Sequence, residues 1–190
     1  MAIQRRYVDG VETRADLVAG FVRDIRDFPA PGVVFKDITP LLNDAKAFAA
    51  AVDALVGEFR HRRIDQVIGV EARGFIFASP VAYLLGAGFV PVRKRGKLPS
   101  SVEQEHYALE YGTDLLEIHL DGLAFGSRVV VIDDVLATGG TAAATVRLAE
   151  KLGAEVVGLG FVLELAFLDG RRQLPGRDVV AVVSYAEAGA

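Results

Sequence analysis

The sequence contains no cysteine. Disulfides, thiolate-held zinc and cysteine nucleophiles are therefore excluded, and the lack of disulfides suits a reducing cytosol. Histidine is sparse: His61, His106 and His119 are scattered and form no HExxH, which argues against a histidine metal site. No GxSxG nucleophile elbow, GxxxxGK(S/T) P-loop or GxGxxG fingerprint occurs. The amino terminus, MAIQRRYVDG, has no apolar signal core. The longest apolar run, Val156 to Leu168, is broken by Glu164 and falls short of the roughly 17 residues a membrane helix needs. A cytoplasmic protein with no membrane contact is expected. Positive charge is not in excess either. The net charge of −4 gives no indication of general nucleic-acid binding.

Apolar residues are plentiful, at 52% of 190 positions, enough for one globular domain with a substantial core. Thr13-Arg14-Ala15-Asp16 resembles a capping box, with Leu17, Phe21 and Ile25 following at helical spacing. That helix is expected to stop near Phe28-Pro29-Ala30-Pro31-Gly32, a cluster of breakers. Ala45 to Phe59 reads as a second helix. Strands are then expected at Gln66–Glu71, Gly88–Arg93, Arg128–Val135, Glu155–Leu165 and Val179–Tyr185, with helices over Gly74–Leu85 and Thr141–Leu152. Continuous apolar strands separated by helices indicate an α/β fold, a mostly parallel sheet covered on both faces. Ligands of such sheets sit at the carboxyl ends of the strands. Lys94 to Asp121 does not fit the alternation. It is long and polar, and reads as a flap with short strands of its own, such as Asp114 to His119.

The stretch VVVIDDVLATGGTAAA, from Val129 to Ala144, carries the chemistry. Ala137, Thr138, Gly139, Gly140 and Thr141 follow a buried strand and open a helix. Backbone N–H groups and the positive end of a helix dipole are available there to an anion, although an ordinary turn with a threonine cap has the same composition. The carboxylates of Asp133 and Asp134 stand immediately before this loop, which a site for phosphate alone would not need.

An apolar strand, two acidic residues and a Thr-Gly-Gly-Thr loop together resemble the binding motif of the type I phosphoribosyltransferases, which use 5-phosphoribosyl-1-pyrophosphate (PRPP). Four further stretches, in order along the chain, are similar to the adenine-using members of that family. They are Phe28 to Leu42, Glu71-Ala72-Arg73-Gly74-Phe75, Arg93 to Pro99, and Ala108-Leu109-Glu110-Tyr111-Gly112. The resemblance implies the type I phosphoribosyltransferase fold as a single domain over residues 1–190. Residues 1–42 would supply an N-terminal helix and a small hood over the base, and residues 94–121 a flexible catalytic flap.

What the resemblance implies for the site runs residue by residue. Ala137 to Thr141 would hold the 5′-phosphate, and Asp133 and Asp134 the ribose hydroxyls. Phe35 would stack on one face of adenine, with Leu165 on the other, and Val34 and Lys36 would present backbone groups to its edge. Arg73, Arg93, Lys94 and Lys97 would bind pyrophosphate, Tyr111 would close over PRPP, and Glu110 would be the catalytic carboxylate near the purine. In this family the loop that begins at Glu71 tends to carry a strained, sometimes cis, non-proline peptide. Mg²⁺ would arrive on PRPP rather than on protein ligands, and the protein would be a homodimer, with some cations reaching a neighbouring subunit's site.

Other readings stand beside these. Phe35 is compatible with the core, Arg73 with an ion pair to Glu71, and Glu110 with a solvated loop. A 6-oxopurine enzyme needs a donor at the 6-oxo group. No lysine follows Lys151, which favours adenine, but Arg171, Arg172 and Arg177 keep the alternative open. A non-catalytic PRPP or nucleotide sensor on the same fold is the third reading. Ser100 to His106 is acidic and matches no role.

Overall fold

The computed structural model of the protein describes residues 13–108 and 113–188. Its framework is a seven-stranded sheet in the order β5-β6-β4-β3-β7-β8-β9. Five strands are parallel: β3 (Gln66–Val70), β4 (Gly88–Lys94), β7 (Arg128–Leu136), β8 (Glu155–Leu165) and β9 (Val179–Tyr185). The flap supplies the other two, β5 (Val102–Ala108) and β6 (Thr113–His119), as an antiparallel hairpin joined to the end of β4. This pairing explains why the segment looks weakly periodic. Each strand is only seven residues long, and β6 buries the polar Glu117 among Leu115, Leu116 and Ile118.

The strands of the parallel part are apolar on both faces because both faces are covered. Val129 and Val131 of β7 join a core with α5 (Gly140–Lys151), including Ala144 and Leu148. The alternate residues Val130 and Ile132 join the opposite core with α3 (Ala45–Phe59) and α4 (Gly74–Leu85), including Leu55, Phe59 and Phe77. Each such side chain, fully removed from water, stabilises the fold by roughly 1.5–3 kcal/mol before entropy is subtracted.

The first helix is shorter than its periodicity suggests. The Thr13 capping box forms, but α1 spans only Arg14–Gly20. Ile25 lies instead on β1 (Arg23–Arg26), which pairs antiparallel with β2 (Val34–Asp37). Strand pairing across the Pro-Gly turn outweighs the helical pattern here. A short helix, α2 (Thr39–Asn43), then leads into α3, whose first N–H groups are capped by the Asp44 carboxylate.

The order of connection places the site. From β3 the chain passes to β4 on one side, then returns to β7 on the other. A crevice therefore opens beyond the carboxyl ends of β3 and β7, where the sheet reverses its direction of growth.

Candidate active site

The crevice is a cavity of about 520 Å³. It is lined by Val34, Phe35 and Lys36 of β2, Glu71 to Arg73 after β3, Lys94, Tyr107, the run from Asp133 to Ala142, and Leu165. The topology thus brings the hood strand, the loop after β3, the flap root and the loop after β7 to one place.

The loop from Ala137 to Thr141 forms the floor. Gly139 is the N-cap of α5 with φ +84°, and no side chain caps the helix. The first-turn N–H groups therefore remain available to a ligand. Gly139 is also packed against the 3₁₀ turn Gly170–Gln173: a Cβ on it would lie 2.3 Å from the Gly170 carbonyl oxygen. Reciprocally, a Cβ on Gly170 would lie 2.2 Å from the Ala137 carbonyl oxygen. Both positions require glycine, so the turn holds the loop from behind. The sequence offered no signal for Gly170 beyond its residue type.

Asp133 and Asp134 stand on the rim where β7 ends. Asp133 accepts a hydrogen bond from the Asp134 N–H at 2.9 Å. Burial first, and then the adjacent Asp134 charge, push the Asp133 carboxyl well above the ordinary range. Gly74, at the start of α4, lets this carboxylate fit, since a Cβ there would lie 2.5 Å from Asp133 Oδ1. Asp134 is buried, and its Oδ2 is 2.6 Å from Arg73 Nε yet makes no aligned hydrogen bond. Its charge is offset by the Arg73 guanidinium, so the two residues form an ion pair at the edge of the cavity that both line.

The ion pair from Arg73 thus goes to Asp134 rather than to Glu71. The Arg73 guanidinium also stands 5.4 Å from the centre of the Phe35 ring, linking the loop after β3 to the hood. The peptide between Glu71 and Ala72 is cis. Glu71 itself is a residue the sequence reading passed over. Its carboxylate, with only 8% of the side chain exposed, ion-pairs with Arg93 at 3.3 Å and with Lys97, and accepts from the Lys94 N–H at 3.0 Å. Burial works against the Glu71 charge, but the Lys97, Lys94 and Arg93 donors outweigh it and lower the pKa. Glu71 thereby gathers Arg93 and Lys97 into a cation corner beside the cavity, although neither lines it; Lys94 does line it, with its ammonium paired to Asp114.

On the hood side, Phe35 is half-buried and meets Phe28 edge-to-face at 5.2 Å. The Lys36 ammonium turns inward, 2.7 Å from Asp24 Oδ1 and 4.4 Å from the centre of the Tyr185 ring. Its charge is engaged in joining β1 and β2 to β9. Arg171, Arg172 and Arg177 pair with Glu164, Asp169 and Glu150, and none of the three lines the cavity. Glu110 and Tyr111 lie outside the described residues. The acidic stretch Ser100 to His106 has a clear place: Glu103 and Glu105 pair with Lys151 and Arg147, fastening β5 to α5.

Comparison with known proteins agrees with this geometry. Residues 41–183 match the phosphoribosyl transferase domain. Adenine phosphoribosyltransferase of Acidothermus cellulolyticus is 59% identical over 160 residues, covering 84% of this chain and 90% of that protein. The enzyme of the same name from Desulfitobacterium hafniense is 54% identical, covering 87% and 95%. Among solved structures, adenine phosphoribosyltransferase of Thermoanaerobacter pseudethanolicus superposes with a TM-score of 0.87 at 49% identity, covering 90% of this chain and 99% of that one. The Saccharomyces cerevisiae enzyme, solved with an imino-altritol bisphosphate and adenine, gives 0.84 at 39% identity, covering 89% and 98%. An uncapped helix start, a carboxylate pair and a cation corner around one crevice, in a chain this similar over nearly its whole length, place it in the adenine phosphoribosyltransferase family.

Proposed function

We infer that the protein transfers the 5-phosphoribosyl group of PRPP to N9 of adenine, giving AMP and pyrophosphate, a purine-salvage reaction. The observation that carries this reading is the meeting, in and beside one cavity, of three features that PRPP needs together. These are the open N-terminus of α5, the Asp133–Asp134 pair and the cations around Glu71. In this reading Ala137 to Thr141 hold the 5′-phosphate through N–H and hydroxyl groups. Asp133 and Asp134 accept hydrogen bonds from the ribose hydroxyls. Arg73, Arg93, Lys94 and Lys97 bind pyrophosphate.

As the C1–oxygen bond to pyrophosphate breaks, the sugar gains cationic character and the departing group gains negative charge. The carboxylate pair favours the first and the cation corner the second. Phe35 and Leu165 sandwich the base, with Val34 and Lys36 offering backbone groups to its edge. Glu110 manages the proton near the purine, and Tyr111 closes over PRPP, excluding water that would otherwise capture the cation. Mg²⁺ suits an all-oxygen carboxylate environment such as the Asp133–Asp134 end of the cavity; it would be carried by PRPP oxygens and would neutralise charge on the departing pyrophosphate. Among the described residues no cluster of three His, Asp or Glu side chains could hold a metal without substrate oxygens.

Adenine is the base this reading favours, because the cations near the pocket's base side are already engaged. Lys36 is held by Asp24, and the three late arginines lie outside the lining. The wider reading is a single domain with residues 1–42 as hood and 94–121 as flap, acting in the cytoplasm as a homodimer. Exposed Tyr83 and Leu84 on α4 and Phe89 on β4 offer apolar surface for a second copy.

Incubation with PRPP, Mg²⁺ and each purine in turn tests the reading. AMP from adenine, with no product from hypoxanthine or guanine, is the expected result. Turnover of a 6-oxopurine alone would overturn the base assignment, and no turnover with any base would leave a PRPP sensor. Glu110→Gln is expected to slow the single-turnover rate more than it weakens PRPP binding. An unchanged single-turnover rate would remove that residue from the chemistry.

A further inference from the structure

Tyr107 lies near the turn end of the β5–β6 hairpin and is among the residues lining the cavity. It is 7% exposed, and its hydroxyl donates to Asp114 Oδ2 at 3.1 Å. The same oxygen is 3.2 Å from Lys94 Nζ, while the other Asp114 oxygen accepts from the Leu115 N–H at 2.8 Å. Both carboxylate oxygens are therefore engaged and the carboxylate cannot swing freely. Tyr107 faces Asp114 across the hairpin, in register with it, so the contact forms only when β5 and β6 are paired.

We propose that Tyr107 and Asp114 are positioning residues for pyrophosphate recognition, forming a latch that fixes the Lys94 ammonium over the phosphate end of the cavity. The proposal rests on the reading of the cavity as a PRPP site. An exposed ammonium–carboxylate pair by itself orders little, because water competes for both partners. Here the carboxylate is pinned by a buried phenol and by its neighbour's N–H, so the ammonium has a fixed point to return to. Burial, and then the hydrogen bond to Asp114, push the phenol up to about 12. The hydroxyl therefore remains a donor to Asp114 across the working pH range. One hydroxyl thus connects the strand hairpin, through Asp114, to a cation that lines the cavity.

A double-mutant cycle between Tyr107→Phe and Lys94→Met, read by PRPP binding in the presence of Mg²⁺ and by turnover, tests the latch. Tyr107→Phe alone is expected to weaken PRPP binding and raise its KM about tenfold, the scale of one hydrogen bond to a charged partner, with the KM for adenine unmoved. In the Lys94→Met background the same change should cost no more than about twofold, because the latch then holds nothing. Asp114→Asn should reproduce the Tyr107→Phe effect. Equal penalties in both backgrounds would overturn the proposal, as would a loss of thermal stability accompanied by equal rises in both KM values. A wild-type protein that binds PRPP but forms no AMP would sink the enzyme reading and leave the binding cycle still interpretable.

Discussion

Two carboxylates a few residues from the same ligand have opposite relations to their surroundings. The pKa of Glu71 is lowered, so its charge contributes stability above the ordinary carboxylate value, and that contribution is lost as pH falls through the lowered one. The pKa of Asp133 is raised, so the folded state holds a proton that the unfolded chain gives up. Stability therefore declines as pH rises from the ordinary value near 3.8 through the raised one, and is flat above it. Asp133→Asn should remove that decline. At neutral pH it is expected to raise the melting temperature by about 2–4 °C, the effect of about 1 kcal/mol in a chain of this size, while PRPP use falls at least tenfold. Calorimetry and steady-state kinetics on the same preparation check both halves. A destabilised variant would mean that the carboxylate serves the fold. Glu71→Gln should instead lower stability by about 1 kcal/mol, since Arg93 and Lys97 are partly exposed and can return to water, and should raise the KM for PRPP. Asp133 was legible in the sequence because it adjoins the glycine loop. Glu71 was not read as an organiser, because its partners lie 22 to 26 positions away and only the parallel pairing of β3 with β4 brings them together.

Secondary elements were most readable where local pattern and tertiary setting agree. The ranges Ala45–Phe59, Gly74–Leu85, Glu155–Leu165 and Val179–Tyr185 follow from periodicity, length and flanking breakers. The departures occur where pairing decides. Residues 23–26 continue a helical pattern but lie in a strand, because the chain turns back through the Pro-Gly segment and residues 34–37 pair alongside. The strand Val102–Ala108 has no apolar signature because Glu103 and Glu105 meet α5 through Lys151 and Arg147. The turn Gly170–Gln173 gave no signal at all, since its value lies in what its backbone touches. Gly170→Ala tests this element. The added methyl must push the Ala137 carbonyl away, so a stability loss of about 1–3 kcal/mol is expected, as for other overpacked contacts, together with a larger rise in the KM for PRPP than for adenine. Equal KM values to wild type would show that the phosphate loop does not depend on the turn.

At the scale of the whole molecule, the sheet's reversal between β3 and β7 assembles the site from segments distant in sequence. The sequence pattern predicted a parallel sheet with ligands at its carboxyl ends, and the motif after β7 pointed to one wall of the crevice. The opposite wall, made of hood, loop and flap, is legible only through the resemblance and the fold itself, because no local pattern records which strand ends become neighbours. The Asp133–Asp134 pair beside a phosphate cradle is the feature that asks for a phosphorylated ribose rather than any phosphate. Calorimetric titration with AMP and with its 2′,3′-dideoxy analogue measures that demand directly. The account predicts that wild type binds AMP at least tenfold more tightly, and that Asp133→Asn and Asp134→Asn shrink the gap. Equal affinity of the wild-type protein for the two nucleotides would contradict it.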